Sequence, residues 1–327
     1  MNPRKAFIVR VSALDDNMKV LVTGGAGFIG SNLVDALVEK GHDVTAFDNL
    51  SSGSESYVAH HKNNFKLVKG DLTHPADIDK AMKGVEMVFH LAANPDVRHG
   101  IDHTRIDLEQ GTIATHNLLE AMRKAKVGKI AFSSSSTVYG EATVLPTPEN
   151  YGPMLPISLY GASKLACEGL ISSYCHSFEM QAWMYRFANV IGHRGTHGVL
   201  VDFIAKLRKD PKNLEILGDG KQKKSYFLVQ DCVAGIMMGV DKAKDQVNIF
   251  NLACEEWTDV TQVADIVVSE MGLKDVKYHY TGGTRGWVGD IPKTWLSIDK
   301  ARKMGWAPRH SSEEAVRLAV RELLKSR

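Results

Sequence analysis

Short apolar runs recur along the first 190 residues of the chain and alternate with amphipathic segments. Six of these runs are strand-like: KVLVTG, DVTAFD, FKLVKGD, MVFHLAA, KIAFSSSS and AWMYRFANV. Helical patterns separate most of them, and this alternation is typical of a parallel sheet with helices on both faces. The chain is therefore predicted to be an α/β protein with a doubly wound parallel sheet.

The pattern becomes irregular after about residue 190. A glycine-rich loop, a helix near VDFIAKLRK, a lysine-rich turn and short strands lead to a final amphipathic helix, SSEEAVRLAVRELLK, which Ser311 or Ser312 can N-cap. We expect residues 18–190 to form the sheet domain and residues 191–327 to form a smaller α/β lobe interleaved with it. Residues 1–17 are expected to be an N-terminal extension.

The first strand leads into a glycine-rich turn that suits a dinucleotide. Gly25, Gly27 and Gly30 satisfy GxGxxG, and Gly24 with the last two also satisfies GxxGxxG. Such a turn lets the backbone approach a pyrophosphate at a helix N-terminus, whose N–H groups and dipole favour negative charge. Asp48 ends the second strand, where its carboxylate can accept hydrogen bonds from an adenosine ribose and repel a 2′-phosphate. A glycine motif alone is often an ordinary loop, but this order of elements predicts a Rossmann fold that binds NAD.

A tyrosine and a lysine share one face of a predicted helix. Tyr160 and Lys164 are four residues apart in SLYGASKLACEGL, and the serine run FSSSSTVYG lies about 25 residues upstream. Acid or base work by tyrosine at neutral pH requires its phenolate to be stabilised by about 4 kcal/mol, much of which a neighbouring ammonium can supply. A serine hydroxyl can bind the oxygen whose proton moves, which suits oxidation of an alcohol. Taken alone, the pair is equally compatible with an amphipathic surface turn.

Composition narrows the classes of function. Hydrophobic content of 44% and charged content of 24% are ordinary for a globular enzyme, and a net charge of +2 gives no general attraction to nucleic acid. The four cysteines form no CxxC pair and are expected to be buried in a reducing compartment. No HExxH motif or clustered ligand spacing is present, so no metal is predicted. No apolar run reaches the roughly 18 residues of a membrane span, and we expect a cytoplasmic protein.

Eight motifs in sequence order carry a family resemblance. TGGAGFIG, FDNLSSG, KGDL, HLAA, SSSSTVYG, YGASK, RFANVIG and WAPR occur from about Met18 to the C-terminus. With them the chain resembles the extended short-chain dehydrogenase/reductase family of nucleotide-sugar enzymes, and within it the NAD-dependent 4-epimerases. The resemblance implies NAD as cofactor and a nucleotide sugar as substrate.

The resemblance also assigns roles to individual residues. Tyr160 would be the base, Lys164 would hold the nicotinamide ribose and lower the pKa of the tyrosine, and Ser135 would hydrogen-bond the sugar 4-oxygen. The implied cofactor-binding residues are Gly24, Gly27, Phe28, Ile29, Gly30, Asp48, Asn49, Ser52, Asp71, Leu72, Leu91, Ala92, Ala93, Ser133, Tyr160 and Lys164. The implied substrate-binding residues are Ser135, Asn189, Lys224, Arg285 and Thr294. The basic turn that contains Lys224 is also compatible with a solvated surface loop.

The residues after Ser135 bear on the type of reaction. Family members that dehydrate the sugar have an acidic pair there, and those that decarboxylate have a glutamate before the valine, whereas this chain has Ser136 and Thr137. The resemblance therefore implies epimerisation at C4, with dehydratase, decarboxylase or 4-reductase as alternatives and a non-catalytic NAD-binding regulator as a rival of another class. A small residue at Thr294 suggests tolerance of N-acetylated sugars, although it is also compatible with an ordinary loop threonine.

Two further expectations concern helices. Gly111 replaces an asparagine that in the family commonly helps to organise the active-site helix and a buried water. The resemblance also implies a homodimer through the helix of residues 108–124 and the helix that carries Tyr160. In the sequence, only apolar residues such as Leu118, Ala121 and Met122 support that dimer, and they are equally compatible with an intrachain core.

Overall fold

The computed structural model describes residues 17–325, so the predicted extension lies almost entirely outside the described residues. The main sheet contains seven parallel strands in the order β11-β6-β5-β4-β1-β2-β3. Its strands are β1 (Lys19–Thr23), β2 (Asp43–Asp48), β3 (Phe65–Lys69), β4 (Met87–His90), β5 (Lys129–Ser135), β6 (Gln181–Phe187) and β11 (Val247–Leu252). The predicted doubly wound parallel sheet is confirmed, and the six strand-like runs form six of its strands.

Helices cover both faces of this sheet. They are α1 (Phe28–Glu39), α2 (Pro75–Ala81), α3 (His99–Asp102), α4 (Ala114–Ala125), α5 (Leu159–Phe178) and α7 (Val229–Lys242), with 3₁₀ turns at Glu55–Tyr57 and Ser136–Tyr139 and a π-helical segment at Leu108–Ile113. Side chains alternate along a strand, so Val20 and Val22 join the core under α1 and α7, while Leu21 joins the core under α2, α4 and α5.

A smaller lobe follows α5 and β6 and has its own core. It contains β7 (Asn189–Ile191), α6 (Val199–Lys209), β8 (Asn213–Ile216), β9 (Lys223–Lys224), β10 (Tyr226–Leu228), β12 (Thr258–Asp259), α8 (Val260–Glu270), β13 (Lys277–Tyr280) and α10 (Ser312–Lys325), whereas α9 (Asp299–Lys303) packs against β11 of the main sheet. Apolar faces of α6, α8 and α10 pack together, and Phe203, Val263 and Val316 belong to the same buried apolar cluster. Ser311 caps α10, because its hydroxyl accepts from the backbone N–H of Glu314.

The chain returns to the main sheet after this lobe has begun. β11 lies well beyond residue 190 in sequence, yet it pairs with β6 along its whole length, from Val247 opposite Ala182 to Leu252 opposite Phe187.

The four cysteines are buried and form no disulfide bonds. Across residues 17–325, no helix combines the length and the apolar character needed to cross a membrane.

Candidate active site

The glycine turn lies where the winding of the sheet changes direction. β1 pairs with β2 on one side and with β4 on the other, and the crevice beyond the carboxyl ends of such strands is where ligands bind in open α/β sheets. Gly24 has a φ of +68°, and a Cβ there would lie 2.8 Å from the backbone nitrogen of Ala92. A Cβ on Gly30 would lie 1.9 Å from the carbonyl oxygen of Gly24. These close approaches explain why glycine occupies both positions.

The N-terminus of α1 is suited to an anion. Gly27 is the N-cap residue and makes no side-chain capping hydrogen bond, and the first turn contains no acidic residue. The N–H groups of Phe28, Ile29 and Gly30 have no intrahelical acceptor at this position, and the helix dipole favours negative charge there. The turn therefore fits the pyrophosphate of NAD.

Asp48 links the glycine turn to the end of β2. Its Oδ2 accepts from the backbone N–H of Ala26 at 3.0 Å, and its Oδ1 accepts from that of Leu50 at 2.8 Å. The carboxylate is thereby fixed in orientation, with lone pairs left for ribose hydroxyls. This arrangement fits the adenosine end of NAD.

Asn49 and Asp71 continue this polar group across β2 and β3. The Asn49 amide donates to Asp71 Oδ2 at 2.9 Å, and Thr73 donates to Asp71 Oδ1 through its backbone N–H and its hydroxyl. Burial opposes ionisation of Asp71, but these hydrogen bonds lower its pKa below the ordinary value. The remaining predicted cofactor positions flank this edge: Ser52 is exposed, Leu72 is buried, and Leu91, Ala92 and Ala93 are part-exposed just after β4.

The predicted catalytic residues come together at the ends of β5 and α5. Ser158 caps α5 by accepting from the backbone N–H of Gly161 at 3.1 Å, which places Tyr160 in the first turn. Lys164, one turn later and 4% exposed, donates to the Ser133 carbonyl oxygen at 2.7 Å. Its ammonium lies 5.7 Å from the centroid of the Tyr160 ring.

Ser135 occupies the end of β5 beside the tyrosine. It is hydrogen-bonded to Tyr160, and its Oγ accepts from the hydroxyl of Thr137 at 2.9 Å and from the Thr137 backbone N–H at 3.2 Å. Because Thr137 directs both of its donors at the Ser135 oxygen, the Ser135 hydroxyl keeps its own proton for donation, and Tyr160 is its partner in the structure. Ser135 can thus donate to an oxygen that is losing its proton, provided that this oxygen binds within reach.

Burial dominates the pKa of both catalytic candidates on α5. Burial raises the pKa of Tyr160 above its ordinary value, the charges of Asp107 and Cys167 add to this, and the hydrogen bond with Ser135 opposes it. Burial also lowers the pKa of Lys164 to about 8. In the protein without NAD, burial dominates the pKa of Tyr160, so the lowering by Lys164 that the resemblance implies stays a prediction for the NAD-bound state.

Asp107 is a buried carboxylic acid near these groups that the sequence analysis missed. Its Oδ1 accepts from the Asn94 side chain at 3.0 Å, while its Oδ2 is buried without a hydrogen-bond partner. Burial raises the pKa of Asp107, although the Asn94 hydrogen bond and the charges of Lys164 and His99 oppose this. The residue lies in the polar stretch IDHTRIDLEQG, where nothing in the local pattern distinguishes it from exposed neighbours.

Gly111 lies in the π-helical segment and contacts α5 closely. A Cβ at this position would lie 2.1 Å from Ser163 Oγ. The Ser163 hydroxyl donates to the Asp107 carbonyl oxygen at 2.6 Å and lies 3.0 Å from Thr112 Oγ1. The space that an asparagine side chain would need here is therefore occupied by Ser163.

The two predicted phosphate-binding cations both have carboxylate partners. Lys224 Nζ lies 2.7 Å from Asp290 Oδ1, and Arg285 lies 2.7 Å from Glu141 Oε1. The members of each pair are far apart in sequence, so no local pattern predicts these ion pairs.

The other predicted substrate residues lie near by. Asn189 begins β7, and its side chain donates to the Ser225 carbonyl oxygen at 3.3 Å. Thr294 lines a small cavity together with Ser136, the residue that follows Ser135. Thr294 therefore lies close to Ser136, one of the two positions where dehydratases of the family have acidic residues.

A buried ion pair holds α5 against the sheet. Glu168, one turn after Lys164, lies 2.6 Å from Arg186 of β6, and it accepts from Ser134 of β5 at 2.5 Å. The side chains of Arg186 and Glu168 are 2% and 5% exposed. Burial opposes the charge of Arg186, but the hydrogen bonds with Glu168 raise its pKa further above the ordinary value.

Comparison with known proteins shows to which family the chain is related. The profile of the NAD dependent epimerase/dehydratase family matches residues 20–253. The chain is 34% identical to a putative UDP-glucose 4-epimerase of Methanocaldococcus jannaschii, over 92% of this chain and 97% of that protein. It is also 30% identical to UDP-glucuronic acid decarboxylase 4 of Arabidopsis thaliana, over 93% of this chain and 68% of that protein.

A solved structure shows the same likeness. A crystal structure of a UDP-galactose 4-epimerase superposes with a TM-score of 0.86 at 39% identity, covering 94% of this chain and 99% of that one. The chain therefore belongs to the NAD-dependent epimerase/dehydratase family of enzymes.

Proposed function

We propose that the protein epimerises a nucleotide sugar at C4, interconverting UDP-glucose and UDP-galactose through a transient 4-keto sugar. The observation that carries this proposal is the grouping of Ser135, Tyr160 and Lys164 with Ser136 and Thr137 in place of the acids used by dehydratases and decarboxylases. When bound, NAD supplies the hydride acceptor and the returning hydride.

In the proposed reaction Tyr160 takes the 4-hydroxyl proton and later returns it. Ser135 is well placed to donate to the same sugar oxygen, because Thr137 already donates to its Oγ. The Lys164 ammonium adds positive charge near the tyrosine ring. Since burial raises the pKa of Tyr160 in the protein alone, the phenolate requires further positive charge, which the oxidised nicotinamide carries.

We propose that Lys224 and Arg285 bind the diphosphate of the substrate. Each is held by a carboxylate in the structure, Asp290 and Glu141 respectively, so the diphosphate must compete with these partners. Lysine binds phosphate as a point charge, whereas arginine offers a planar fork. Orientation of the diphosphate should therefore depend more on Arg285 than on Lys224.

The position of Thr294 supports a wider choice of sugar. Thr294 and Ser136 line the same small cavity, and neither side chain is bulky. We propose that N-acetylated sugars are also accepted. A panel of UDP- and GDP-sugars tests this, and rejection of UDP-N-acetylglucosamine would restrict the substrate to simple hexoses.

The best test of reaction type is product analysis. Purified protein incubated with UDP-glucose and NAD should yield UDP-galactose without net NADH. Decarboxylation is the second candidate, because one relative is a UDP-glucuronic acid decarboxylase, and it would convert UDP-glucuronic acid to a lighter sugar with loss of carbon dioxide. Loss of carbon dioxide from UDP-glucuronic acid, with no epimerised product from any nucleotide sugar, would refute the proposed epimerisation.

Removal of one hydroxyl tests the proposed base. Tyr160→Phe should lower turnover by about 10²- to 10⁴-fold, the usual contribution of general acid–base catalysis, while NAD remains bound. Tyr174→Phe is the matched control, because Tyr174 lies on the same helix and bonds Glu120 instead. Comparable activity in the two variants would rule out the proposed role of Tyr160.

We propose that the chain forms a homodimer through the segment 108–124 and α5. Leu118, Ala121 and Met122 are buried within the chain, so they do not support the dimer. Leu108, Ile113, Leu159 and Phe178 of these same segments are exposed apolar residues. Sedimentation velocity should give a dimer, and a monomer at micromolar concentration would refute the proposal.

A further inference from the structure

A carboxylate and two histidines converge away from the proposed catalytic residues. Asp35 Oδ1 lies 2.8 Å from His61 Nε2 and 3.1 Å from His60 Nε2. The three ligand atoms all lie within 4.8 Å of one another. Asp35 belongs to α1, seven residues after its first residue, so it lies about 10 Å along the helix from the turn that fits the pyrophosphate.

The surroundings hold two of these groups in place. Arg194 donates to the other oxygen of Asp35, Oδ2, at 2.8 Å, which leaves Oδ1 directed at the histidines. The His61 ring is 9% exposed and packs against Phe65 with ring centroids 5.2 Å apart. His60 is 53% exposed and Asp35 is 23% exposed, so ions in solution can reach the site.

We propose that Asp35, His60 and His61 bind a divalent transition-metal ion of the zinc type. Two imidazole nitrogens and one carboxylate oxygen form a ligand set that zinc commonly uses, with solvent as the fourth ligand. Ligands of one tetrahedral zinc ion lie about 3.3 Å apart. The two distances to Asp35 must therefore open by about 0.5 Å or less, and the two histidine ligand atoms already lie within 4.8 Å of each other. Each imidazole binds through the Nε2 lone pair with its proton on Nδ1, and any proton on Nε2 is released to solvent.

Arg194 acts as the outer partner of the metal ligand. Ligating carboxylates are generally hydrogen-bonded by a second group that fixes their orientation, and the Arg194 contact with Oδ2 has this form. The arginine also neutralises part of the carboxylate charge, so the site should be weaker than one with a free aspartate. The bound ion would join α1 to the segment before β3, and the Arg194 contact with Asp35 links α1 to the loop before α6.

The expected role is structural. The segment of residues 55–61 follows the Asp48 to Ser52 loop, and a bound ion would tie its end to α1. Occupancy should therefore slow local opening of this segment without contributing to the chemistry. This inference is independent of the proposed reaction.

The test uses tag-free, NAD-loaded protein that has been treated with a chelator and then dialysed. Zinc binding is measured by competition with a chromophoric chelator, and cobalt substitution is followed by visible absorption. The wild type should bind one zinc ion per chain, and His61→Ala should lower the affinity by more than the 10- to 100-fold that loss of an outer partner costs. His60→Ala, at an exposed position, should do the same with the fold intact.

His279→Ala is the matched control, because this exposed histidine bonds only Asn213 in the described contacts. It should bind zinc as the wild type does. Retained affinity in both His61→Ala and His60→Ala would overturn the proposal, as would absence of binding to the wild type at roughly 100 μM zinc, a weak affinity for a specific site.

Discussion

The buried ammonium of Lys164 should be visible in the pH dependence of stability. Burial lowers its pKa from 10.5 to about 8 in the folded protein, while the unfolded chain keeps the ordinary value. Between these pH values the unfolded state binds more protons, so stability rises with pH there. The cost of the charged, buried lysine is fully present below pH 8 and disappears as the pH approaches 10.5.

The size of the effect follows from the two pKa values. The difference between 10.5 and about 8, at about 1.4 kcal/mol per pH unit, corresponds to about 3 kcal/mol over the whole range. Between about pH 7.5 and about pH 10, integration of the proton-binding difference leaves about 2 kcal/mol.

Urea denaturation of NAD-free wild type and Lys164→Met measures this contribution. The variant lacks the titrating group but shares the other ionisable residues, so the difference in unfolding free energy isolates Lys164. The unfolding free energy of the wild type, relative to that of the variant, should increase by about 2 kcal/mol between about pH 7.5 and about pH 10. A high-salt repeat screens surface charges and serves as the control. A difference that stays flat, or shifts in favour of the variant, would refute the argument.

Three further substitutions test the packing around the site. Glu168→Gln leaves the buried Arg186 charge uncompensated and should cost about 3–5 kcal/mol in urea denaturation; a loss below about 1 kcal/mol would contradict this. Gly111→Asn should cost about 1–3 kcal/mol through the clash with Ser163, and Ser163→Ala in the same chain should recover most of it; no recovery would locate the strain elsewhere. Gly30→Ala forces a methyl group against the turn and should weaken NAD binding about 10- to 100-fold by calorimetry; unchanged affinity would show that the turn is not a tight fit.

The sequence predicted the parts of the fold that depend on local patterns. Apolar runs bounded by helices identified β1 to β6, and glycine spacing with Asp48 identified the crevice between β1 and β4. β11 is different, because a six-residue strand in an irregular region can pair with several partners. Its place beside β6 depends on contacts between distant parts of the chain.

The candidate site also combines features set by local sequence patterns with features set by contacts between distant parts of the chain. Tyr160 and Lys164 share a helix face, so their spacing is a local signal. The burial of Asp107 and the pairing of Lys224 with Asp290, 66 residues away, depend on the packing of separate elements. The raised pKa of Tyr160 in the protein without NAD has a similar origin, since desolvation is set by the surroundings that the fold assembles.

The Glu168 and Arg186 pair has a consequence for the placement of α5. Apolar contacts are tolerant of small slides, because one methyl group can replace another against the sheet. The ion pair does not tolerate such a shift. Moving the helix by one residue, about 1.5 Å, would separate two charges in an interior that cannot solvate them. Lys164 precedes Glu168 by one turn, and Tyr160 precedes it by two. The distance between the tyrosine hydroxyl and the end of β5 is thus fixed by an anchor on the far side of the reacting groups.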